Sequence, residues 1–357
     1  MKRWQLAPVL VVYLACRGPA PAPATVASVG TPFTPDSGTA GYPATLPLVL
    51  VSDVPLPGKA ARFDYQDLDL AKGHLVIAHM DDDSVVVLNS SDGSLVKVLP
   101  GIPTPRGVVV AGDVGRIFVT SMPNKLVIID SSSLAEIARV DTGQAPDGVG
   151  WDPKQRVVGV SDQRDGAISV IGDAGSGSRK QLTLGAETGN VVFDPARAVF
   201  WITVVAKALP DHLVAVDPVT ARATTSIALT GCTGAHGLRI HPDGKSALVA
   251  CEGNSKVARV ELENAHAVNL AATGDDPDVL AIDPGLGWLY VAAESGDLRV
   301  FDLRKPGLVN IDSEHPGKAS HSVAVDPATH RLFFPLVSGD AGSPVLRIMQ
   351  PRGASAG

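Results

Sequence analysis

The chain has 357 residues, of which 45% are hydrophobic and 19% are charged, with 37 acidic and 30 basic side chains. The formal net charge of -7 leaves no basic surface for nucleic acid, so nucleic-acid binding is excluded as a function. The low charge and high apolar content exclude intrinsic disorder for most of the chain.

The first 46 residues have the pattern of a targeting segment followed by a tether. Lys2 and Arg3 precede an apolar stretch at 6–15 that is too short to span a bilayer, and Cys16 follows. Residues 1–16 are therefore predicted to be an export signal, and Leu14-Ala15-Cys16 resembles a bacterial lipobox, although Tyr13 departs from its pattern. The Pro-, Ala- and Thr-rich residues 17–46 predict a disordered tether. We expect a location in the periplasm or cell envelope, with a lipid on Cys16 as the expected link to a membrane.

Beyond the tether, an apolar strand ending in Asp-Pro or His-Pro recurs with a period in the forties. The prolines at 153, 195, 242, 284 and 327 are separated by 42, 47, 42 and 43 residues. Repeats of this length with short strands and tight turns are typical of β-propellers, with one blade per repeat. The sequence thus predicts an all-β fold.

Seven copies of the second strand of the repeat predict seven blades. They lie at 75–79, 117–121, 157–161, 200–204, 247–251, 289–293 and 332–336. The last repeat supplies three strands, at 321–326, 331–337 and 344–349, and then stops. Residues 48–56 have the pattern of an outermost strand, so we predict that this N-terminal strand completes the last blade and closes the ring. The propeller is predicted to span 47–350 and to be followed by a disordered tail, 351–357.

Several segments resemble the bacterial YVTN-repeat propellers, the YncE-like and surface-layer-like group. They are IFVTS (117–121), LVIID (126–130), TGQAPDGVGWDP (142–153) and LYVAA (289–293). The resemblance implies an exported seven-bladed propeller of the broad WD40-like type, and such propellers serve as binding scaffolds, adhesins and occasionally enzymes. It implies no particular ligand.

One position per blade is predicted to line the mouth of the central channel. It lies five residues before the Asp of each Asp-Pro, or before its equivalent, at the start of the innermost strand. In chain order the ring consists of Asp64, Arg106, Asp147, Gly189, His236, Asp278 and His321.

Four of these ring residues offer metal-ligand chemistry. His236, Asp278, His321 and Asp64 come from four consecutive blades, and imidazole with carboxylate is a ligand set for zinc, iron, copper or manganese. The sequence is equally compatible with a hydrated polar funnel that binds nothing specific. The sequence therefore leaves two alternatives: the channel mouth binds one divalent metal ion, or it binds no metal.

The remaining candidates are ligand-binding or catalytic residues. Arg106 is predicted to bind an anionic group, and His79 and Glu294 are predicted to reach the same face from the loops between the second and third strands. Asp81, Asp82, Asp83, Asp162 and Glu252 make these loops acidic. In the alternative of a metal-dependent hydrolase or lyase of lactonase type, Asp147 or Glu252 would act as general base.

A binding scaffold is the favoured function, because the chain has no nucleophile elbow, phosphate-binding loop or haem-attachment motif. We expect a monomer whose top face binds a small molecule or a protein. Cys232 and Cys251 fall in one repeat, where Cys251 is expected opposite His236. A disulfide bond and two buried thiols are both open.

Overall fold

A computed structural model describes residues 48–175, 179–208, 210–263 and 268–353. Within these ranges, seven four-stranded antiparallel sheets follow one another along the chain. The predicted export signal, the tether and Cys16 lie outside the described residues. No helix in the described part of the chain is long and apolar enough to cross a membrane.

Strands are numbered in chain order, and the first six blades each run from an innermost to an outermost strand. Blade 1 consists of β2 (Gln66–Asp69), β3 (His74–His79), β4 (Ser84–Asn89) and β5 (Leu95–Pro100). Blade 2 consists of β6 (Pro105–Ala111), β7 (Arg116–Ser121), β8 (Lys125–Asp130) and β9 (Glu136–Asp141). Blade 3 consists of β10 (Pro146–Asp152), β11 (Val157–Asp162), β12 (Ala167–Gly172) and β13 (Lys180–Thr183). Blade 4 consists of β14 (Glu187–Asp194), β15 (Val199–Val205), β16 (His212–Asp217) and β17 (Arg222–Ala228). Blade 5 consists of β18 (Ala235–Ile240), β19 (Ser246–Cys251), β20 (Lys256–Glu261) and β21 (Val268–Ala272). Blade 6 consists of β22 (Pro277–Asp283), β23 (Trp288–Ala293), β24 (Leu298–Asp302) and β25 (Val309–Glu314).

The seventh blade joins the two ends of the described chain. It consists of β26 (Ala324–Asp326), β27 (Arg331–Leu336), β28 (Val345–Pro351) and, outermost, β1 (Leu48–Pro55). Strand β1 pairs antiparallel with β28, with Leu48 opposite Pro351 and Pro55 opposite Val345. The predicted closure by the N-terminal strand is therefore confirmed. Because the pairing covers the outer edge of β28, the ring has no open seam.

The core is divided among the seven interfaces between neighbouring blades. Six of seven apolar clusters combine side chains of two consecutive blades, and the seventh combines blades 6 and 7 with Tyr65 of blade 1. In the cluster that closes the ring, Phe333 and Ile348 of blade 7 pack with Ile77 and Val86 of blade 1. The middle strands are buried on both faces, which explains their continuous apolar sequences. The chain is a seven-bladed β-propeller.

The recurring Asp-Pro holds the turn between the first two strands of a blade. Asp152 Oδ1 accepts hydrogen bonds from the backbone N–H groups of Lys154 at 2.8 Å and Gln155 at 3.1 Å. In blade 5 His241 replaces the aspartate, and its Nδ1 lies 3.2 Å from the N–H of Asp243. The repeat therefore reflects a side chain that caps its own turn.

Blade 5 also contains a disulfide bond between Cys232 and Cys251, whose Cα atoms are 5.2 Å apart. Cys251 lies opposite Ala235. The expectation that it lies opposite His236 is wrong by one residue, because β18 has a β-bulge between Ala235 and Leu238.

Candidate functional site

A β-bulge at the beginning of the innermost strand directs the ring residues toward the channel. In five blades the register shifts at this point, between Pro105 and Val108, Pro146 and Val149, Thr188 and Val191, Ala235 and Leu238, and Pro277 and Leu280. The ring position is the first residue inside each bulge. A bulge bends its strand and changes the direction of a side chain, so the same local defect recurs around the channel mouth.

Glycines next to the ring positions allow neighbouring innermost strands to approach closely. A Cβ atom on Gly237 would lie 1.8 Å from the carbonyl oxygen of Asp278, and one on Gly107 would lie 2.1 Å from that of Asp147. At the ring position of blade 4, a Cβ on Gly189 would lie 2.7 Å from the Cα of His236. Because these glycines have no side chains, the innermost strands can lie close enough for the ring residues to contact one another.

The channel mouth forms a polar cavity of about 190 Å³. Five predicted ring residues line it: Asp64, Arg106, Asp147, His236 and Asp278. Glu252 and Glu294 reach the cavity from the loops between the second and third strands, as predicted. The structure therefore brings together residues of blades 1, 2, 3, 5 and 6.

His321, from blade 7, completes a buried group with Asp64 and Asp278. One potential ligand atom from each of the three side chains lies within 4.8 Å of the others. The Nδ1 atom of His321 lies 3.3 Å from the carbonyl oxygen of Ala319 and 3.4 Å from Glu294 Oε2. The Nε2 atom is buried without a hydrogen-bond partner, 4.0 Å from Asp278 Oδ2.

A second group consists of His236, Glu252 and Asp278, again with ligand atoms within 4.8 Å of one another. His236 Nε2 lies 3.2 Å from Asp147 Oδ2 and 3.7 Å from Asp278 Oδ1. Its Nδ1 lies 3.6 Å from Glu252 Oε1. The four predicted metal ligands thus divide into two groups of three that share Asp278, with Glu252 as the additional member.

The crowded carboxyl groups hold protons at unusually high pH. Burial, together with the charges of Asp147 and Asp278, raises the pKa of Asp64 to about 7. Burial and Asp147 raise the pKa of Asp278 to about 6, although His236 opposes the change. Burial, again opposed by His236, raises the pKa of Glu252 to about 8. Near pH 7 Glu252 is therefore largely protonated and Asp64 about half protonated, whereas Asp278 is largely ionised.

The two histidines of the cluster differ in charge. Burial favours neutral imidazole at His236, but its hydrogen bond with Asp147 and the charge of that carboxylate prevail and hold its pKa well above the ordinary value. Burial alone would raise the pKa of Asp147, but the hydrogen bond with His236 and the charge of that histidine lower it. Burial and the Arg62 guanidinium lower the pKa of His321. His236 is therefore a cation, whereas His321 presents neutral imidazole.

These shifts predict that the metal-free protein loses stability as the pH rises from about 6.5 to about 8.5. Asp64, Glu252 and His236 have raised pKa values, so the folded state binds protons in this range that the unfolded chain has released. Their stabilisation is complete below their unfolded pKa values and is lost as the pH rises through the folded ones. Urea unfolding at several pH values should show the free energy of unfolding falling by about 1–2 kcal/mol per pH unit.

The double variant Asp64→Asn, Glu252→Gln is the control for this pH series. It removes two of the three titrations, so its stability should vary less over the same range. A wild-type free energy that is constant or rises between pH 6.5 and 8.5 would contradict the prediction.

Three residues of the cavity wall were not predicted: Arg62, Gln163 and Asp276. Arg62 lies 2.5 Å from Glu294 Oε1 and 3.9 Å from Asp278 Oδ2. Arg62 and Asp276 each precede a ring position by two residues. That shared offset is a signal that could have identified them.

Some predicted residues lie away from the cavity. His79 is fully buried, stacks on Phe63 with ring centres 4.0 Å apart, and is not part of the cavity wall. Asp82 pairs with Lys59 at 3.2 Å in a 3-10 turn, Met80–Asp82. Asp162 accepts hydrogen bonds from Gly143 N–H and the Ser169 hydroxyl, so its role is structural.

Of the two predicted general bases, one carboxyl group forms ion pairs and the other holds a proton. Asp147 is buried between His236 and Arg106, whose Nη1 lies 3.6 Å from Asp147 Oδ1. Glu252 is largely protonated at neutral pH because of its raised pKa. In this arrangement Asp147 is therefore ion-paired and Glu252 is largely protonated at neutral pH.

Comparisons with known proteins bear on the fold. No family model matches the chain, and no curated protein matches it. Among solved structures, 1760 chains match. One is a chain of Kuenenia stuttgartiensis hydrazine synthase, with a TM-score of 0.70 and 15% sequence identity over 84% of this chain and 98% of that one. What they share is the fold. At such low identity this similarity carries no activity over to the present chain.

Proposed function

We propose that this protein is an exported propeller that binds one divalent metal ion at its channel mouth and uses the ion to hold a small anionic ligand. The observation that carries the proposal is the unpaired Nε2 atom of His321. It is buried beside two carboxyl groups and has no hydrogen-bond partner.

The neighbours of His321 select the tautomer that binds metals. The carbonyl oxygen of Ala319, 3.3 Å from Nδ1, can only accept a hydrogen bond, so Nδ1 carries the proton. The lone pair of Nε2 is then free and faces the carboxyl groups of Asp64 and Asp278. A histidine held by its second nitrogen in this way is typical of metal sites.

The geometry suits a transition-metal ion. Zinc binds imidazole and carboxylate at about 2.0–2.2 Å, so two ligand atoms on one ion lie at most about 4.4 Å apart. The atoms of the first group already lie within 4.8 Å of one another. Small side-chain movements would complete a site for zinc, iron, copper or manganese, and Asp64, Asp278 and His321 would leave further coordination positions open toward the cavity.

Two arginines at the cavity favour an anionic ligand. Arg62 pairs with Glu294, and Arg106 Nη1 donates to Gln163 Oε1 at 2.6 Å. Both guanidinium groups line the cavity, and both have donors beyond these contacts. A carboxylate or phosphate could therefore bind the ion and a guanidinium group together.

The cellular context of the proposal comes from the sequence. The export signal, the tether and the resemblance to YVTN-repeat propellers support a scaffold held at the cell envelope. The ion pairs of Asp147 with His236 and Arg106 favour binding over hydrolysis.

The test is elemental analysis of the full-length protein, purified without chelator or a histidine tag. We expect about one equivalent of zinc, iron, copper or manganese, and its loss in His321→Ala. The matched control is His315→Ala, because His315 is an exposed histidine outside the cavity, paired with Asp297. That variant should keep the metal.

Two results would overturn the proposal. One is absence of bound metal even after incubation with each ion. The other is an equal metal content in His321→Ala and the wild type.

A further inference from the structure

The channel has a second cavity at the end opposite the acidic cluster. It has a volume of about 210 Å³ and is bordered by blades 1, 5, 6 and 7. Asp67 and Arg239, which line it, each lie three residues beyond a ring position on an innermost strand. At about 3.3 Å per residue, this places them about 10 Å farther along the channel.

Arg239 is a cation without an ion-pair partner. Its Nη1 donates to the neighbouring carbonyl oxygen of Leu238 at 3.0 Å, and among the described residues no carboxylate lies within 4.0 Å of its guanidinium. A guanidinium group has five N–H donors in a planar fork. Most of the binding capacity of Arg239 is therefore unused.

Asp67, the acid on this cavity wall, is occupied elsewhere. Its Oδ2 accepts from Val110 N–H at 2.7 Å, and its Oδ1 accepts from Leu68 N–H at 2.9 Å. Burial lowers the pKa of Arg239, and Asp67 and Tyr65 offset this only in part. Asp67 lies beyond ion-pair distance of the guanidinium and offsets the effect of burial only in part, so an anion from solution would stabilise the charge of Arg239.

The rest of the wall limits what the anion can be. Leu68, Ile282, Val323 and Pro327 form an apolar part of the wall beside the polar residues Gln66, Asp67 and Arg239. The volume corresponds to about seven water molecules at about 30 Å³ each, which suits a ligand of a few carbon atoms. A doubly charged phosphate or sulfate fits poorly, because the wall holds one cation and an acidic group.

We propose that this end of the channel binds a small aliphatic monocarboxylate. The carboxylate accepts two hydrogen bonds from the Arg239 guanidinium, and its short chain packs on Leu68 and Ile282. The proposal is independent of the metal site, from which it is separated along the channel.

The test uses sodium butyrate with the full-length protein, measured by isothermal titration calorimetry at low ionic strength. We expect saturable binding of one butyrate, with acetate at least about tenfold weaker, because two buried methylene groups contribute about fourfold each. The neutral isostere 1-butanol should bind much more weakly than butyrate, because it cannot form the charged pair. Arg239→Gln should weaken butyrate binding at least tenfold and leave the metal content unchanged.

Two further variants keep the test decisive. Ile282→Glu places a carboxylate in the wall and should also abolish binding, whether or not Arg239→Gln folds. Arg352→Gln removes an exposed arginine outside the cavity and should bind butyrate as the wild type does. The proposal is wrong if butyrate does not bind, if butanol binds equally well, or if both cavity variants bind butyrate like the wild type.

Discussion

Asp278→Asn is expected to reduce the affinity for the divalent ion at least about 100-fold. Asp278 is the one residue common to the two groups of potential ligands. Asparagine keeps the size of the side chain and an oxygen that can accept the hydrogen bond from Tyr65 Oη. Calorimetric titration of the metal-free protein with zinc or manganese measures the effect.

The comparison with other variants makes this result specific. Asp64→Asn removes a ligand from the first group only, and Glu252→Gln removes one from the second only, so each should cost less than Asp278→Asn. The metal-free Asp278→Asn protein should also be at least as stable as the wild type at pH 8, because a carboxyl group with a raised pKa has been replaced by a neutral amide. Unchanged metal affinity in Asp278→Asn would refute the shared-ligand arrangement.

Gly237→Ala is expected to destabilise the fold by about 3 kcal/mol, at the upper end of the cost of overpacking. Its new methyl carbon would lie 1.8 Å from the backbone oxygen of Asp278, which cannot rotate away as a side-chain atom could. The innermost strands of blades 5 and 6 must separate, and Asp278 moves with its strand. Urea unfolding should therefore show lower stability, and titration should show weaker metal binding, although Gly237 contributes no ligand.

Gly112→Ala is the matched control. Gly112 lies in the turn after β6, and a Cβ atom there would have no neighbour within 4 Å. Its stability should change by no more than about 0.5 kcal/mol, with unchanged metal binding. If Gly237→Ala were as stable as Gly112→Ala, the close contact between these strands would not exist in solution.

The sequence predicted the fold because one local interaction recurs in most repeats. In blades 3, 4, 6 and 7 the Asp of Asp-Pro accepts a hydrogen bond from the backbone of its own turn, and it ends the innermost strand at the same point. Counting back from it identifies the residue at the channel mouth. For this reason β7 and β23 begin within one residue of the predicted 117–121 and 289–293 and end at the predicted residue, and Asp64, Asp147, His236, Asp278 and His321 were identified together.

The grouping of the ring residues could not be obtained in the same way. It depends on bulges whose extra residue leaves no pattern in the sequence, and on contacts between blades. His79 shows a second limit. Strand β3 is buried on both faces, so the alternation of apolar and polar residues that normally distinguishes the faces is absent. Arg239 was missed because an isolated arginine in an apolar strand has no distinctive spacing.

The pairing of β1 with β28 makes the order of the blades along the chain arbitrary. Leu48 and Pro351 are cross-strand neighbours, so the two ends of the propeller lie about 5 Å apart. Since every apolar cluster joins neighbouring blades, including blades 7 and 1, the ring of clusters has no beginning and no end. A short linker could join these ends and new termini could be opened at an exposed turn, giving a circularly permuted protein with the same set of contacts.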